Sequence, residues 1–113
     1  MFERFFRKKP KDKDIIRFWT DFENRSGLYL DILRNDDEDS DDYMWMMTAV
    51  NKALRLCCLD AKTPYSFTFN GSRDPIMFVF HHSKDEYLMQ VADKLKEYYP
   101  SALNGVIDFR TEE

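Results

Sequence analysis

Pro75-Ile76-Met77-Phe78-Val79-Phe80-His81-His82 is the stretch on which the fold turns. Ile76 to Phe80 is an unbroken apolar run of β-branched and aromatic side chains, the composition of a strand buried on both faces. Each such side chain contributes roughly 1.5–3 kcal/mol when fully buried, so this run is the natural nucleus of a core. It is too short to span a membrane. It predicts a packed sheet and names no reaction.

Upstream, Tyr65, Phe67 and Phe69 alternate with Ser66 and Thr68, the pattern of a strand with one wet face. Asn70-Gly71 opens a turn that runs to Pro75 and makes the two strands a hairpin. Downstream, Ser83-Lys84-Asp85-Glu86 reads as a capping box, with Ser83 at the N-cap. The helix that follows carries Leu88, Val91, Leu95 and Tyr98 on one face and stops at Pro100. Val106 to Arg110 then alternates, with Ile107 and Phe109 on one face and Asp108 and Arg110 on the other, as an edge strand does.

Two helical regions precede the hairpin. Ile15, Ile16, Trp19 and Phe22, with Phe18 beside them, follow a helical spacing that Asp12 or Asp14 can cap, and Asn24 to Gly27 kinks or divides a helix over residues 13–34. Tyr43 to Leu59 is the clearest long helix, with Met47, Val50, Leu54 and Cys57 as its stripe. Met44, Met46, Met47 and Trp45 exceed what one stripe can bury; they either fill gaps in the core or leave an adaptable surface exposed. The order is α-α-β-β-α-β, and it predicts a single α+β domain over residues 13–113, with a small three-stranded, mainly antiparallel sheet packed with three helices. One tension follows. Helices on one face leave Met77 and Val79 or their alternates uncovered, so either the first helices take the opposite face or a second copy of the chain does, which makes a homodimer an expectation.

With 113 residues the chain can bury roughly two-thirds of its unfolded surface in one core. Its net charge of −4 is divided unevenly. Residues 1–13 carry Arg4, Arg7, Lys8, Lys9, Lys11 and Lys13 against Glu3 and Asp12, so the remainder is strongly acidic. An acidic body argues against nucleic-acid binding, which needs a basic face to displace counterions. Adjacent Cys57 and Cys58 cannot form an ordinary disulfide with one another, and no signal-peptide pattern follows Met1, so a reduced cytoplasmic setting is expected.

Two charged stretches are candidate contact surfaces. Residues 1–12 form an N-terminal arm in which Phe2, Phe5 and Phe6 share a helical face beside Arg4, Arg7, Lys8 and Lys9, the pattern of a membrane-surface contact or of a terminus resting on the domain. Asp36, Asp37, Glu38, Asp39, Asp41 and Asp42 crowd one short segment and keep it solvated. Its spacing fails as a calcium loop, because Asp42 stands where glycine is needed and Thr48 where a bidentate glutamate is needed. The segment serves either to begin the next helix, where carboxylates meet free N–H groups, or to meet a basic protein partner.

Catalytic and metal chemistry find little support. Cys57, Cys58, His81 and His82 supply the residue types of a zinc site, but adjacent residues on a strand or helix diverge and do not converge on one ion. Gly27, Gly71 and Gly105 are too scattered for a phosphate loop, and Ser83, His82 and Asp85 lack a nucleophile elbow. No cofactor and no enzymatic site is expected. The surviving readings are a protein-interaction module of regulatory or immunity type using the acidic segment, a peripheral membrane protein using the arm, and an enzyme with an unrecognised site.

Phe18-Trp19-x-x-Phe22-x-Asn24, Tyr99-Pro100 and Leu103-Asn104-Gly105-Val106-Ile107-Asp108-Phe109-Arg110 together resemble a family of small uncharacterised bacterial proteins with an N-terminal FWxWF-type helix and a C-terminal Phe-Arg-type strand. The sequence departs from that pattern at Thr20-Asp21 and at Gly105-Val106, where tryptophan is usual. The resemblance implies the same fold and a bacterial cytoplasmic setting, and it implies no activity.

Overall fold

The computed structural model describes residues 9–112. Four helices and three strands follow in the order α1 (Asp12–Asn24), α2 (Ser26–Asn35), α3 (Asp41–Cys57), β1 (Ser66–Asn70), β2 (Ile76–His81), α4 (Glu86–Glu97) and β3 (Ile107–Glu112), with a short 3-10 turn over Ser101–Leu103 before β3. The expected α+β order holds. The first helical region is divided at Arg25, which gives four helices where three were expected.

The sheet order is β1-β2-β3, with β2 central. The hairpin pair is antiparallel, with Phe69 opposite Phe78, whereas β3 lies parallel to β2, with Phe109 opposite Phe78. The sheet is therefore mixed rather than mainly antiparallel. The cause is α4, which carries the chain from the end of β2 back to the start of β3, as a parallel pair requires.

Pleating sends Phe67, Phe69, Ile76, Phe78, Phe80, Ile107 and Phe109 to the inner face. Phe78 is fully buried; the Phe22 ring stacks on it at 5.6 Å and the Phe69 ring at 4.5 Å. Ile15, Phe18, Trp19 and Phe22 point α1 into this layer, and the Trp19 indole N–H donates to the Leu95 carbonyl at 2.9 Å, tying α1 to α4. Ile16, expected among the inward residues, is instead 45% exposed, because one residue of helix turns it about 100° away from Ile15.

Among the described residues no helix covers the outer face: Ser66, Thr68, Asn70, Arg110 and Glu112 are exposed there. Val79 is nevertheless buried between Thr68 and Arg110, its neighbours in register, and Met77 is half-buried. Thr68 and Arg110 of the flanking strands are the register partners of Val79, so part of the expected uncovered face is buried within the chain itself.

The capping box is displaced. Ser83 and Lys84 both take positive φ, at 52° and 60°, and the N-cap falls on Asp85, whose side chain accepts from the Leu88 N–H at 3.0 Å. The other Asp85 oxygen accepts from the Lys62 and Thr63 N–H groups, each at 3.1 Å, and so fastens the α3–β1 connection to the start of α4. α1, by contrast, has no side-chain cap; Asp12 and Asp14 lie in its first turn, and Asp12 joins Lys94 of α4 and Tyr98 just past its end. Pro10 is buried, so the packed domain reaches back beyond residue 13.

Candidate functional site

The acidic segment forms the connection between α2 and α3. Asp37 to Ser40 makes a turn closed by the Ser40 N–H to the Asp37 carbonyl, and the Ser40 hydroxyl caps α3 by accepting from the Tyr43 N–H at 3.1 Å. Asp41 and Asp42 fall in the first turn of α3, where the helix dipole favours negative charge. Asp37, Glu38, Asp39, Asp41 and Asp42 are exposed and Asp36 is half-buried. Among the described residues none of the six carboxylates enters an ion pair.

The turn is carried on a firm base. Arg34, at the end of α2, donates to the Gly71 carbonyl at 3.0 Å and to the Arg73 carbonyl at 2.8 Å, and its guanidinium meets Asp74 at 3.3 Å. Beneath it, Gly71 lies so close to α2 that a Cβ would come within 2.2 Å of the Leu33 carbonyl oxygen.

The inward stripe of α3 is Tyr43, Met46, Val50, Leu54 and Cys57, which keeps Val50, Leu54 and Cys57 of the expected stripe and puts Met46 in its centre, with Met47 only partly buried. Met44, Trp45, Leu56 and Leu59 are consequently left outside, at 58, 46, 45 and 65% exposure. Trp45, Leu56 and Leu59, with Ala49 and Ala53, line a groove of about 700 Å³ between α1 and α3, and Asp21, Arg25, Lys52 and Arg55 line it as well. Arg25 pairs with Asp21 at 3.4 Å and lies 5.9 Å from the centre of the Trp45 ring. The Trp45 ring meets Tyr29 at 6.2 Å. The Tyr29 hydroxyl is buried with no hydrogen-bond partner; it sits against the Arg25 guanidinium and raises that group's pKa without forming a well-directed bond.

The residue types considered for zinc or nucleophilic chemistry have structural surroundings. Cys57 and Cys58 are free and buried, and burial pushes the Cys57 thiol up to about 12 and the Cys58 thiol higher still, away from the reactive thiolate. His81 Nε2 lies 3.3 Å from the Thr68 hydroxyl, and His82 Nδ1 accepts from the Lys84 N–H at 3.0 Å. Among the described residues no group of three or more His, Cys, Asp or Glu is placed to hold a metal ion. A smaller cavity of about 370 Å³ by Tyr99, Lys96 and Asp108 is partly floored by Ile107 and Phe109, and the Tyr99 hydroxyl there is already committed to the Leu103 and Ile107 carbonyls.

Of the candidate membrane-contact residues, Lys9 is exposed; Phe2, Arg4, Phe5, Phe6, Arg7 and Lys8 lie outside the described residues. No helix among the described residues is long and apolar enough to cross a membrane. The fold and its surfaces define a small α+β domain whose accessible chemistry is charge and apolar contact. No family model, curated protein or solved structure matches the chain. The segments that carry the family resemblance meet in one place: the Trp19 ring stands edge-on to Tyr99 at 5.4 Å and to Phe109 at 5.2 Å. They form a packing pattern beside the cavity of about 370 Å³, which Tyr99, Asn104, Gly105 and Asp108 of these segments line.

The sequence picks out the acidic turn and misses the groove. Met44 and Trp45, surplus to one stripe, are the part of the signal the sequence shows; the rest, at 49, 52 and 56, sits on the same helix as a stronger inward stripe and is legible only once that stripe is assigned.

Proposed function

We propose that this protein is a small cytoplasmic protein-interaction module, of regulatory or immunity type, that meets a basic surface of a partner through Asp36, Asp37, Glu38, Asp39, Asp41 and Asp42. The observation that carries this reading is the set of six carboxylates on a capped, anchored turn with no ion pair to the rest of the described fold. Unpaired charge on a fixed support steers a complementary surface and sets the register of encounter.

The test is a pull-down from the native cytoplasm with wild type and with a variant whose six acids are replaced by Asn or Ser, followed by measurement of association with the purified partner at low and high salt. The reading expects a partner that binds the wild type, dissociates as salt rises and is lost with the variant. Equal capture by both proteins, or capture by neither, overturns it.

A further inference from the structure

A second surface of opposite charge lies on the same helix. Trp45, Ala49, Lys52 and Leu56 are spaced by 4, 3 and 4 residues along the outer side of α3, and Leu59 follows in the turn just past its end. That is the period with which one helix receives the side chains of another. The groove beside this ladder has α1 as its second wall, with Arg25 contributing from that side. A further depression of about 480 Å³ continues over α1, lined by Lys13, Ile16 and Arg17 and sharing Asp21 with the groove. Arg25, Lys52 and Arg55 line the groove and Lys13 and Arg17 the depression next to it, and among the described residues Asp21, paired with Arg25, is the one carboxylate that lines either. On a chain of net charge −4 this is a locally cationic face.

Charge decides the occupant. Lys52 lies between Ala49 and Leu56 and is exposed, so a carboxylate on whatever covers the ladder would meet its ammonium group, and a second cation there would be repelled. A second copy docked through the same ladder would set Lys52 near Lys52. Residues 1–8 carry Arg4, Arg7 and Lys8 against Glu3, a net charge of the same sign as the groove's. A lipid surface has suitable charge but is flat, whereas the site is a trough between two helices. We propose that the α1–α3 groove docks an amphipathic helix of a partner protein, with apolar residues at i, i+3, i+4 and i+7 and acidic residues flanking them. Trp45, fixed by the Arg25 guanidinium and the Tyr29 ring, is its anchor, as large aromatics with arginine neighbours are in helix-in-groove complexes. This surface adjoins the acidic turn, Trp45 standing one helical turn from Asp41, but it is tested through different residues, so either can fail without the other.

The probe is a synthetic helical peptide with leucines at that spacing flanked by glutamates, compared with the same peptide flanked by lysines, titrated into the full chain. Binding is read by peptide anisotropy and by tryptophan emission, in which Trp19 is a buried, constant background. The glutamate peptide should bind and shift the emission to the blue, and the lysine peptide should not. Trp45→Ala should weaken binding by about tenfold or more. The double variant Lys52→Glu with Arg55→Glu should exchange the preference between the two peptides, with circular dichroism unchanged. Absence of glutamate-peptide binding, or equal binding by the charge-reversed variant, overturns the proposal. So does an emission shift produced only by phosphatidylserine vesicles, or only by self-association of the chain.

Discussion

The inner face of the sheet and the outer face of α3 are both built around large aromatic side chains, and they use them oppositely. Phe78 has no exposed surface and meets rings from α1, β1 and β3, including Phe22, Phe69 and Phe109. Trp45 keeps 46% of its surface in water and has Tyr29 as ring neighbour with Arg25 above it. A ring enclosed on every side contributes its transfer energy and its ring contacts to folding. A ring with half its surface open has much of that energy still to gain, and gains it only when something covers it. The difference separates the residues that hold this protein together from those free to recognise another.

The strongest way to break that comparison is to truncate both rings. Phe78→Ala should lose about 3–5 kcal/mol of stability, from lost burial and the cavity left among the rings. In a domain of this size such a loss approaches the whole stability, so Phe78→Leu is the practical companion. Trp45→Ala should lose on the order of 1 kcal/mol or less, the range of an exposed cation–π contact. Urea unfolding of the variants measures both. A Trp45→Ala loss equal to that of Phe78→Ala would place Trp45 in the core and remove it from any recognition surface.

A smaller effect contrasts the two ends of α2. At Gly71 a Cβ would meet the Leu33 carbonyl oxygen at 2.2 Å and the carbonyl carbon at 3.0 Å, both backbone atoms that move only if α2 moves. Gly71→Ala should therefore destabilise by roughly 1–3 kcal/mol, as overpacking does. At Gly27, in α2, a Cβ would meet nothing within 4 Å, and Gly27→Ala should stabilise by roughly 0.4–1 kcal/mol through reduced freedom of the unfolded chain. Thermal melts of the pair should move in opposite directions. Movement in the same direction would show that the acidic turn does not rest on a close α2–hairpin contact.

The legibility of the sequence follows the same division. Ile76 to Phe80 announces a buried strand because every residue of the run agrees, and alternation in 65–69 and 107–110 sets which side each neighbour faces. The direction of β3 is less legible, since its pattern is the same in parallel and antiparallel pairing, and only the span of α4 decides between them. Ser83 imitates an N-cap in spacing, but the left-handed turn at Ser83 and Lys84 is a backbone event that spacing does not encode. The acidic turn is legible from composition. The groove depends on which of two interleaved stripes of α3 faces inward, and that is settled by packing against α1 rather than by α3 itself.

The smallest effect separates a carboxylate that serves the fold from those that face outward. Asp85 accepts from the N–H groups of Leu88, Lys62 and Thr63, and these bonds, with Leu88 foremost, hold its carboxyl below the ordinary value of 3.8. Asp85→Ala should cost roughly 0.5–2 kcal/mol, the range for a lost N-cap. The sign of the pH dependence follows from the lowered value. A group that is more acidic in the folded state than in the unfolded one stabilises fully above its unfolded pKa and loses that contribution as pH falls through its folded value. The gap between wild type and Asp85→Ala should be constant above about pH 5 and narrow as pH falls below 3.8. Urea midpoints across that range measure it. A gap that stayed constant into strong acid would mean that the neutral carboxyl caps α4 as well as the charged one, and the ionic account of this joint would be wrong.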